Sequence, residues 1–299
     1  MRATALALLV SVLCAASPAL RAQENSVLVE DYRFGNFTNA TSIEIDVFGS
    51  VLVSDAGAHL LRKFQQDGTP AEQAGGQGWG PNQFDEPRGI DAHLGLVVYV
   101  ADKGNHRIVR LDRSLNALGS FSTQDNPTSD AQSGNDASFG SPLDVVITKL
   151  ENLAILDGDN ARVVMTSGFA TVDKTFGGME SGEGRLRQPL AMARTNDDML
   201  HVLEAKRVVV FDSFGNFRFA YAYNIFEDAK GISFHNGRVA VVTPAGLYLF
   251  KADGTYEARW TRERFALAGA TAPFADVAMT DERIFLLTAT TVLVFTHSF

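Results

Sequence analysis

Residues 83–112 read QFDEPRGIDAHLGLVVYVADKGNHRIVRLD, and this segment sets the architecture expected for the whole chain. Short apolar runs alternate in it with turn-forming residues such as Gly95, Gly104 and Asn105. Such runs, bounded by Gly, Asn and Asp, indicate β-strands joined by tight turns. Fainter copies of the segment recur from residue 32 to the end of the chain. One unit of this kind cannot bury both of its faces, so the repetition predicts that the units stack on one another.

Six copies align on a polar residue that ends the second strand of each unit. The aligned residues are Asp55, Asp102, Asp157, Glu204, Thr243 and Thr288, spaced by 47, 55, 47, 39 and 45 residues. Four-stranded units at this spacing predict an all-β fold, a six-bladed β-propeller of four-stranded antiparallel blades. The innermost strands are predicted at residues 42–46, 89–93, 144–148, 191–195, 231–235 and 276–280.

The two ends of the repeat region are incomplete in complementary ways. The sixth copy stops at residue 299 without room for an outer strand, whereas residues 26–34, SVLVEDYRF, form a strand without a blade. We expect this N-terminal strand to complete the last blade, because closing the ring removes exposed sheet edges. Residues 23–299 are therefore expected to form a single domain.

A local hydrogen-bond pattern is also expected where the strands end. Asp102 stands directly before a turn, and an aspartate there can accept hydrogen bonds from the following amides. We therefore expect the Asp102 carboxylate to cap the amides of residues 103–105.

Residues 1–22, MRATALALLVSVLCAASPALRA, have the layout of a signal peptide. Arg2 precedes an apolar run, and the small residues that follow offer cleavage after Ala22 or, as an alternative, after Ala19. The mature protein is therefore expected to be secreted or periplasmic. The only cysteine of the chain, Cys14, lies in the signal-peptide segment, so no disulfide is expected in the mature protein. No later apolar run is long enough to predict a membrane span.

The charge balance excludes some classes of partner. The net charge is −9, and it becomes −11 once Arg2 and Arg21 are removed with the signal peptide. An acidic chain without basic patches is a poor match for nucleic acid or for an anionic membrane surface. The expected partner is another protein of the cell envelope or extracellular space.

The second copy resembles the NHL repeat, named after an Asn-His-Leu sequence that stands here as Asn105-His106-Arg107. The first copy keeps Ala58-His59-Leu60, and the third keeps Asn160-Ala161-Arg162. The resemblance implies a six-bladed propeller that binds proteins, nucleic acids or small ligands. It also implies that a minority of such propellers are metal-dependent enzymes, so the fold alone does not decide the function.

Charged residues at the start of the inner strands are expected to ring one mouth of the central channel. Arg88 and Lys230 occupy equivalent positions three blades apart, and so do Asp144 and Asp276 one residue further on. Glu44 lies slightly deeper in the first blade. Such a concave, mixed-charge opening is typical of a site for a small polar ligand, and solvated or mutually paired charges are the alternative.

Metal binding and catalysis find little support in the sequence. In propeller lactonases, which this fold resembles, a carboxylate-rich ring holds a divalent ion, but here the carboxylates are too sparse. His93 and His235 face one another from opposite blades, and two distant histidines do not make a metal site. The acidic loop 124–139 lacks the spacing of a calcium-binding loop. We therefore predict no catalytic residue, no metal site and no cofactor, with calcium as the one ion left open.

The functional hypothesis is an exported, non-enzymatic binding or scaffold propeller that recognises proteins or a small polar ligand. Candidate partner-binding residues are Trp79 on a blade crossover and Asp130 and Asp136 in the acidic loop. The competing hypothesis is a metal-dependent hydrolase or lyase acting at the channel mouth. A structural subunit of an envelope assembly is a third.

Overall fold

The structure is a computed structural model that describes residues 26–123 and 138–297. It contains six antiparallel sheets arranged as blades around a channel, and it confirms the predicted six-bladed β-propeller. The innermost strand of each blade contacts that of the next, and blade 6 contacts blade 1, so the ring is closed. The signal-peptide segment, Asp130 and Asp136 lie outside the described residues.

Each blade runs outward from the channel in chain order. The innermost strands are Ala40–Ile45, Pro87–Asp91, Pro142–Ile147, Pro189–Arg194, Gly231–His235 and Phe274–Met279. The second strands are Val51–Asp55, Val97–Asp102, Leu153–Asp157, Leu200–Glu204, Arg238–Thr243 and Arg283–Thr288. The third strands are Leu60–Phe64, Arg107–Asp112, Arg162–Ser167, Arg207–Phe211, Gly246–Lys251 and Val292–Thr296. The outer strands of blades 1 to 5 are Pro70–Gly75, Ala117–Phe121, Thr171–Phe176, Phe217–Tyr221 and Tyr256–Thr261.

Helical structure in the described residues is confined to short 3-10 turns at Lys103–Asn105, Gly182–Gly184 and Arg262–Arg264. None of the helices in residues 26–123 and 138–297 has the length and apolar character needed to cross a bilayer.

Five of the six inner strands begin earlier than predicted, because each starts with a bulge. In blade 3, Pro142 pairs with Asp157, the register then shifts, and regular pairing resumes at Asp144. Blades 1, 2, 4 and 6 repeat this arrangement. The apolar alternation of a strand is visible only where the register is regular. The prediction from this alternation therefore left out the residues before the bulge.

The core consists of apolar layers between neighbouring blades. Between blades 3 and 4, for example, Leu156 and Val163 pack in one cluster with Val202 and Val209. All four side chains are fully buried. Burial of apolar surface at about 25 cal/mol per Å² is the main force that holds one blade against the next.

Blade 6 is completed by the N-terminal strand, as predicted. Leu28–Phe34 pairs antiparallel with Val292–Thr296, with Tyr32 opposite Val294 and Phe34 opposite Val292. A short strand, Phe265–Ala266, adds in parallel to residues 28 and 29, so this blade has five strands. The sequence did not predict this fifth strand.

The expected cap by Asp102 is wrong. The Asp102 side chain makes no hydrogen bond to the amides of the following turn. Its carboxylate instead accepts from the amide of Asp85 in the preceding crossover (2.7 Å) and from the side chains of Asn105 and Arg107, each at 2.8 Å. Asp102 therefore ties the crossover to the turn between the second and third strands.

The same tie recurs in three other blades. Asp55 accepts from the amides of Thr38 and Asn39, and Glu204 accepts from the amide of Gln188 at 3.0 Å. An arginine pairs with the carboxylate in each case; these arginines are Arg62, Arg162 and Arg207. In blades 5 and 6 a threonine stands at this position and hydrogen-bonds only within its own turn.

Candidate functional site

A channel runs along the propeller axis between the six inner strands. Where these strands begin, it opens into a cavity of about 710 Å³, termed here the first mouth. Where they end, it opens into a cavity of about 600 Å³, termed the second mouth. Four residues line both cavities, so the two are halves of one channel; they are Glu44, Ile90, Met192 and Ile232.

The five residues that the sequence assigned to one channel mouth all line the first mouth. They are Arg88, Asp144, Lys230, Asp276 and Glu44. The repeat gives the reason: equivalent residues of different blades reach the same depth in the ring.

Asp144 and Asp276 connect neighbouring blades. Asp144 accepts the amide of Met192 in blade 4 at 2.6 Å, and its other oxygen accepts the amide of Val145 at 2.8 Å. Asp276 makes the equivalent bonds to Ile43 of blade 1 (3.0 Å) and to Val277 (2.9 Å). Both carboxyl groups are thus occupied by backbone donors.

Glycine is required in the blade preceding each of these aspartates. A Cβ atom at Gly89 would lie 1.8 Å from an Asp144 oxygen, and one at Gly231 would lie 2.0 Å from an Asp276 oxygen. Any side chain at either position would displace the carboxyl group. The sequences Arg88-Gly89-Ile90 and Lys230-Gly231-Ile232 therefore serve two purposes: glycine admits the aspartate, and the preceding cation faces the mouth.

Burial reduces the negative charge of these carboxyl groups. It raises the pKa of Asp144 to about 8 and that of Asp276 to about 7, against the opposing effect of the amide donors. Desolvation disfavours the charged form of an acid, so both groups hold their protons for much of the time at neutral pH.

Glu44, unlike Asp144 and Asp276, accepts no hydrogen bond from any described residue. Burial raises its pKa well above the ordinary value, and the neighbouring Asp91, Asp276 and Asp144 raise it further. Its side chain is partly exposed, but the space to which it is exposed is the inside of the channel.

Cationic side chains also line the first mouth. Lys230 pairs with Asp228 at 2.5 Å, and both side chains are largely exposed. Lys103 also lines this mouth and pairs with Glu86 at 2.7 Å. Arg88 forms no ion pair with any described residue, and its buried Nε atom has no hydrogen-bond acceptor there.

The second mouth holds charged residues that the sequence did not assign to a site. Asp91 accepts the amides of Ile147 (2.7 Å) and His93 (2.9 Å), and burial raises its pKa. Arg194 is held by Asp198 at 2.7 Å. Extending the alignment to the fifth position of the inner strands would have found Asp91, because it is equivalent there to Glu44.

His93 and His235 both line the second mouth. His235 Nε2 lies 2.9 Å from Asp281, and burial, reinforced by Arg194, lowers the pKa of His93. Within residues 26–123 and 138–297, no three His, Cys, Asp or Glu side chains are placed to hold a metal ion.

Trp79 lies away from the channel on the crossover between blades 1 and 2. Its side chain is 65% exposed, while its carbonyl oxygen accepts a hydrogen bond from Arg107 at 3.1 Å. Trp79 is therefore not wedged between blades.

Similarity to known proteins is limited to the fold. No protein-family model matches the chain, and no curated protein matches it in sequence. A streptogramin B lyase structure shares 12% identity over 86% of this chain and 79% of that one, with a TM-score of 0.59. A catalytically inactive virginiamycin B lyase of Staphylococcus aureus, solved with quinupristin, gives 12% identity, 86% and 80% coverage and the same TM-score. Hydrazine synthase of Kuenenia stuttgartiensis gives 9% identity, 84% and 74% coverage and a TM-score of 0.58.

Proposed function

We propose that the protein is an exported, non-enzymatic binding propeller that recognises a small polar ligand with an acidic group at the first mouth. Arg88 is the observation that carries this proposal. It lines the first mouth and forms no ion pair with any described residue, so a ligand anion need not displace a protein carboxylate to pair with it.

The charges around Arg88 favour the same class of ligand. Lys103 and Lys230 line the same cavity, and their acidic partners Glu86 and Asp228 are largely exposed. The carboxyl groups further in are buried and largely protonated below neutral pH. The first mouth therefore presents net positive charge, which attracts an anion although the whole chain is acidic.

Titration calorimetry with inorganic phosphate and succinate tests this proposal. We expect the affinity of at least one probe to fall about tenfold or more in Arg88→Ala and in Lys230→Ala, because each loses a charged contact. Lys206→Ala is the matched control, since Lys206 lies on an exposed turn and pairs only with Glu227. The proposal fails if the wild type binds neither probe, or if Lys206→Ala weakens binding as much as Arg88→Ala does.

A protein partner in the cell envelope or extracellular space is a second candidate, favoured by Trp79. Exposed tryptophans are enriched among the residues that dominate binding energy at interfaces. Proteins that co-purify with the wild type and are lost in Trp79→Ala would support it. Loss of the same proteins in Arg88→Ala would instead place the contact at the first mouth.

The competing hypothesis of a metal-dependent hydrolase or lyase takes its support from the fold shared with lyases. A divalent-ion titration distinguishes it from ligand binding. A large rise in melting temperature with calcium or zinc, abolished by Asp144→Ala, would favour the enzyme over our proposal.

A further inference from the structure

We propose that the first mouth binds an amphoteric molecule, whose acidic group pairs with Arg88 and Lys230 and whose ammonium group lies against Glu44. This inference rests on the proposed function and adds the second charge of the ligand. It also specifies how far apart the two charges stand.

The Glu44 carboxyl group has no hydrogen-bond partner among residues 26–123 and 138–297. Within the described residues it neither donates nor accepts a hydrogen bond, although it lines both the first and the second mouth. Asp91, Asp144 and Asp276, by contrast, each accept two backbone amides. Glu44 is thus the acidic group of the channel that a ligand can still engage.

Among the described residues, carboxyl groups outnumber cations in the channel interior. Four carboxyl groups face one another there, from blades 1, 2, 3 and 6: Glu44, Asp91, Asp144 and Asp276. Arg194 of blade 4 faces the same space, but Asp198 already holds it at 2.7 Å. At the position of blade 5 that is equivalent to Glu44 stands the uncharged Ser233. A ligand ammonium group would stabilise the ionised form of the Glu44 carboxyl group.

Apolar side chains form part of the wall between the two charged sites. Three apolar residues line both cavities, one strand position nearer the first mouth than Glu44; they are Ile90, Met192 and Ile232. Glu44 lies three strand positions beyond the depth of Arg88 and Lys230, about 10 Å along the channel at roughly 3.3 Å per residue. An aliphatic chain of that length would place one charge at each end and its methylene groups on this wall.

Titration calorimetry with 8-aminooctanoate and octanoate tests the inference, since the two differ only in the ammonium group. We expect the wild type to bind 8-aminooctanoate at least tenfold more tightly. The pair 4-aminobutanoate and butanoate, which is too short to reach Glu44 from Arg88, should show no such difference.

Glu44→Gln should abolish the tenfold difference, because it weakens the binding of 8-aminooctanoate far more than that of octanoate. Asp281→Asn is the matched control, because Asp281 is 74% exposed in its side chain at the second mouth and should leave the difference intact. A melting curve shows whether Glu44→Gln is folded.

A measurement on the wild type alone gives an independent readout. Burial raises the pKa of Glu44 well above its ordinary value, so an ammonium group bound against it should favour release of its proton. The heat of binding of 8-aminooctanoate at pH 7 should therefore vary with the ionisation enthalpy of the buffer, and that of octanoate should not. The tenfold difference should also grow from pH 6 to pH 8.5, because Asp91, Asp144 and Asp276, whose pKa values burial raises, lose their protons as the pH rises, and Arg194 faces the same space.

Equal affinities of the wild type for 8-aminooctanoate and octanoate would overturn the inference and leave anion binding standing. A difference that persists in folded Glu44→Gln, or binding without proton release, would overturn it too. Failure of octanoate, succinate and phosphate alike would instead remove the proposed function itself.

Discussion

Asp102 illustrates how one buried side chain organises a blade corner. It is fully buried, and its two oxygens accept from a crossover amide, an amide side chain and a guanidinium group. Arg107 in turn donates to the carbonyl oxygens of Trp79, Gly80 and Gln83. The Asp102–Arg107 ion pair therefore holds the crossover that carries the exposed Trp79.

At this scale we predict that Asp102→Ala destabilises the protein by about 3–5 kcal/mol, because it leaves the Arg107 charge buried without its partner. Urea unfolding followed by circular dichroism measures the loss. The control is Asp253→Ala on an exposed turn, where one backbone hydrogen bond is lost and the change should stay below about 1 kcal/mol. A similar cost in both variants would show that the corner does not depend on Asp102.

The individual residues also show how far the sequence alone could predict the site. Alignment of the repeats brings Arg88, Lys230 and Glu44 to one mouth, because equivalent positions share a depth in the ring. It could not reveal that Asp144 bonds to Met192 of the next blade. That contact depends on the distance between blades, which a single repeat does not encode. The role expected for Asp102 was wrong because its carboxylate bonds to the crossover amide of Asp85 and to the side chains of Asn105 and Arg107, not to the amides of the turn.

Among the elements, the closing strand Leu28–Phe34 joins segments that lie far apart in the sequence. It pairs with Val292–Thr296 on one edge and with Phe265–Ala266 on the other. Its pairing with the last blade could be predicted because an unpaired strand and an incomplete blade were both visible in the sequence. The two-residue strand could not, because two residues show no periodicity.

We predict that Leu28→Ala costs about 2–4 kcal/mol, because Leu28 is buried in a cluster with Trp260 and Phe295 and its truncation leaves a cavity. Val29 on the same strand is 61% exposed and provides a matched control, so Val29→Ala should cost less than about 1 kcal/mol. Chemical denaturation of the two variants gives the comparison. Equal costs would mean that the closing strand contributes little to stability.

For the whole molecule, the buried acids of the channel predict an unusual dependence of stability on pH. The pKa values of Asp144 and Asp276 rise on folding from an ordinary 3.8 to about 8 and about 7. A group whose pKa is raised on folding contributes stability that is fully present below the unfolded-state pKa. That contribution is lost as the pH rises through the folded-state pKa.

The free energy of unfolding should therefore fall between pH 5 and pH 8, by about 6 kcal/mol for the two groups together at roughly 1.4 kcal/mol per pKa unit. Thermal unfolding at pH 5, 6.5 and 8 measures this fall. The double variant Asp144→Asn/Asp276→Asn should show a flatter profile. Stability that instead rises towards pH 8 would mean that the amide donors keep both carboxylates ionised in the fold.

The ring closure has a consequence for the order in which the molecule can form. Residues 28–34 are made long before their partners at residues 292–296. Pairings so distant in sequence form slowly, because a long loop must close before the strands can contact each other. During synthesis the closing strand therefore has no partner in blade 6 until residues 292–296 have been made. Blades 1 to 5 can assemble one after another, whereas the sixth waits for both ends to meet.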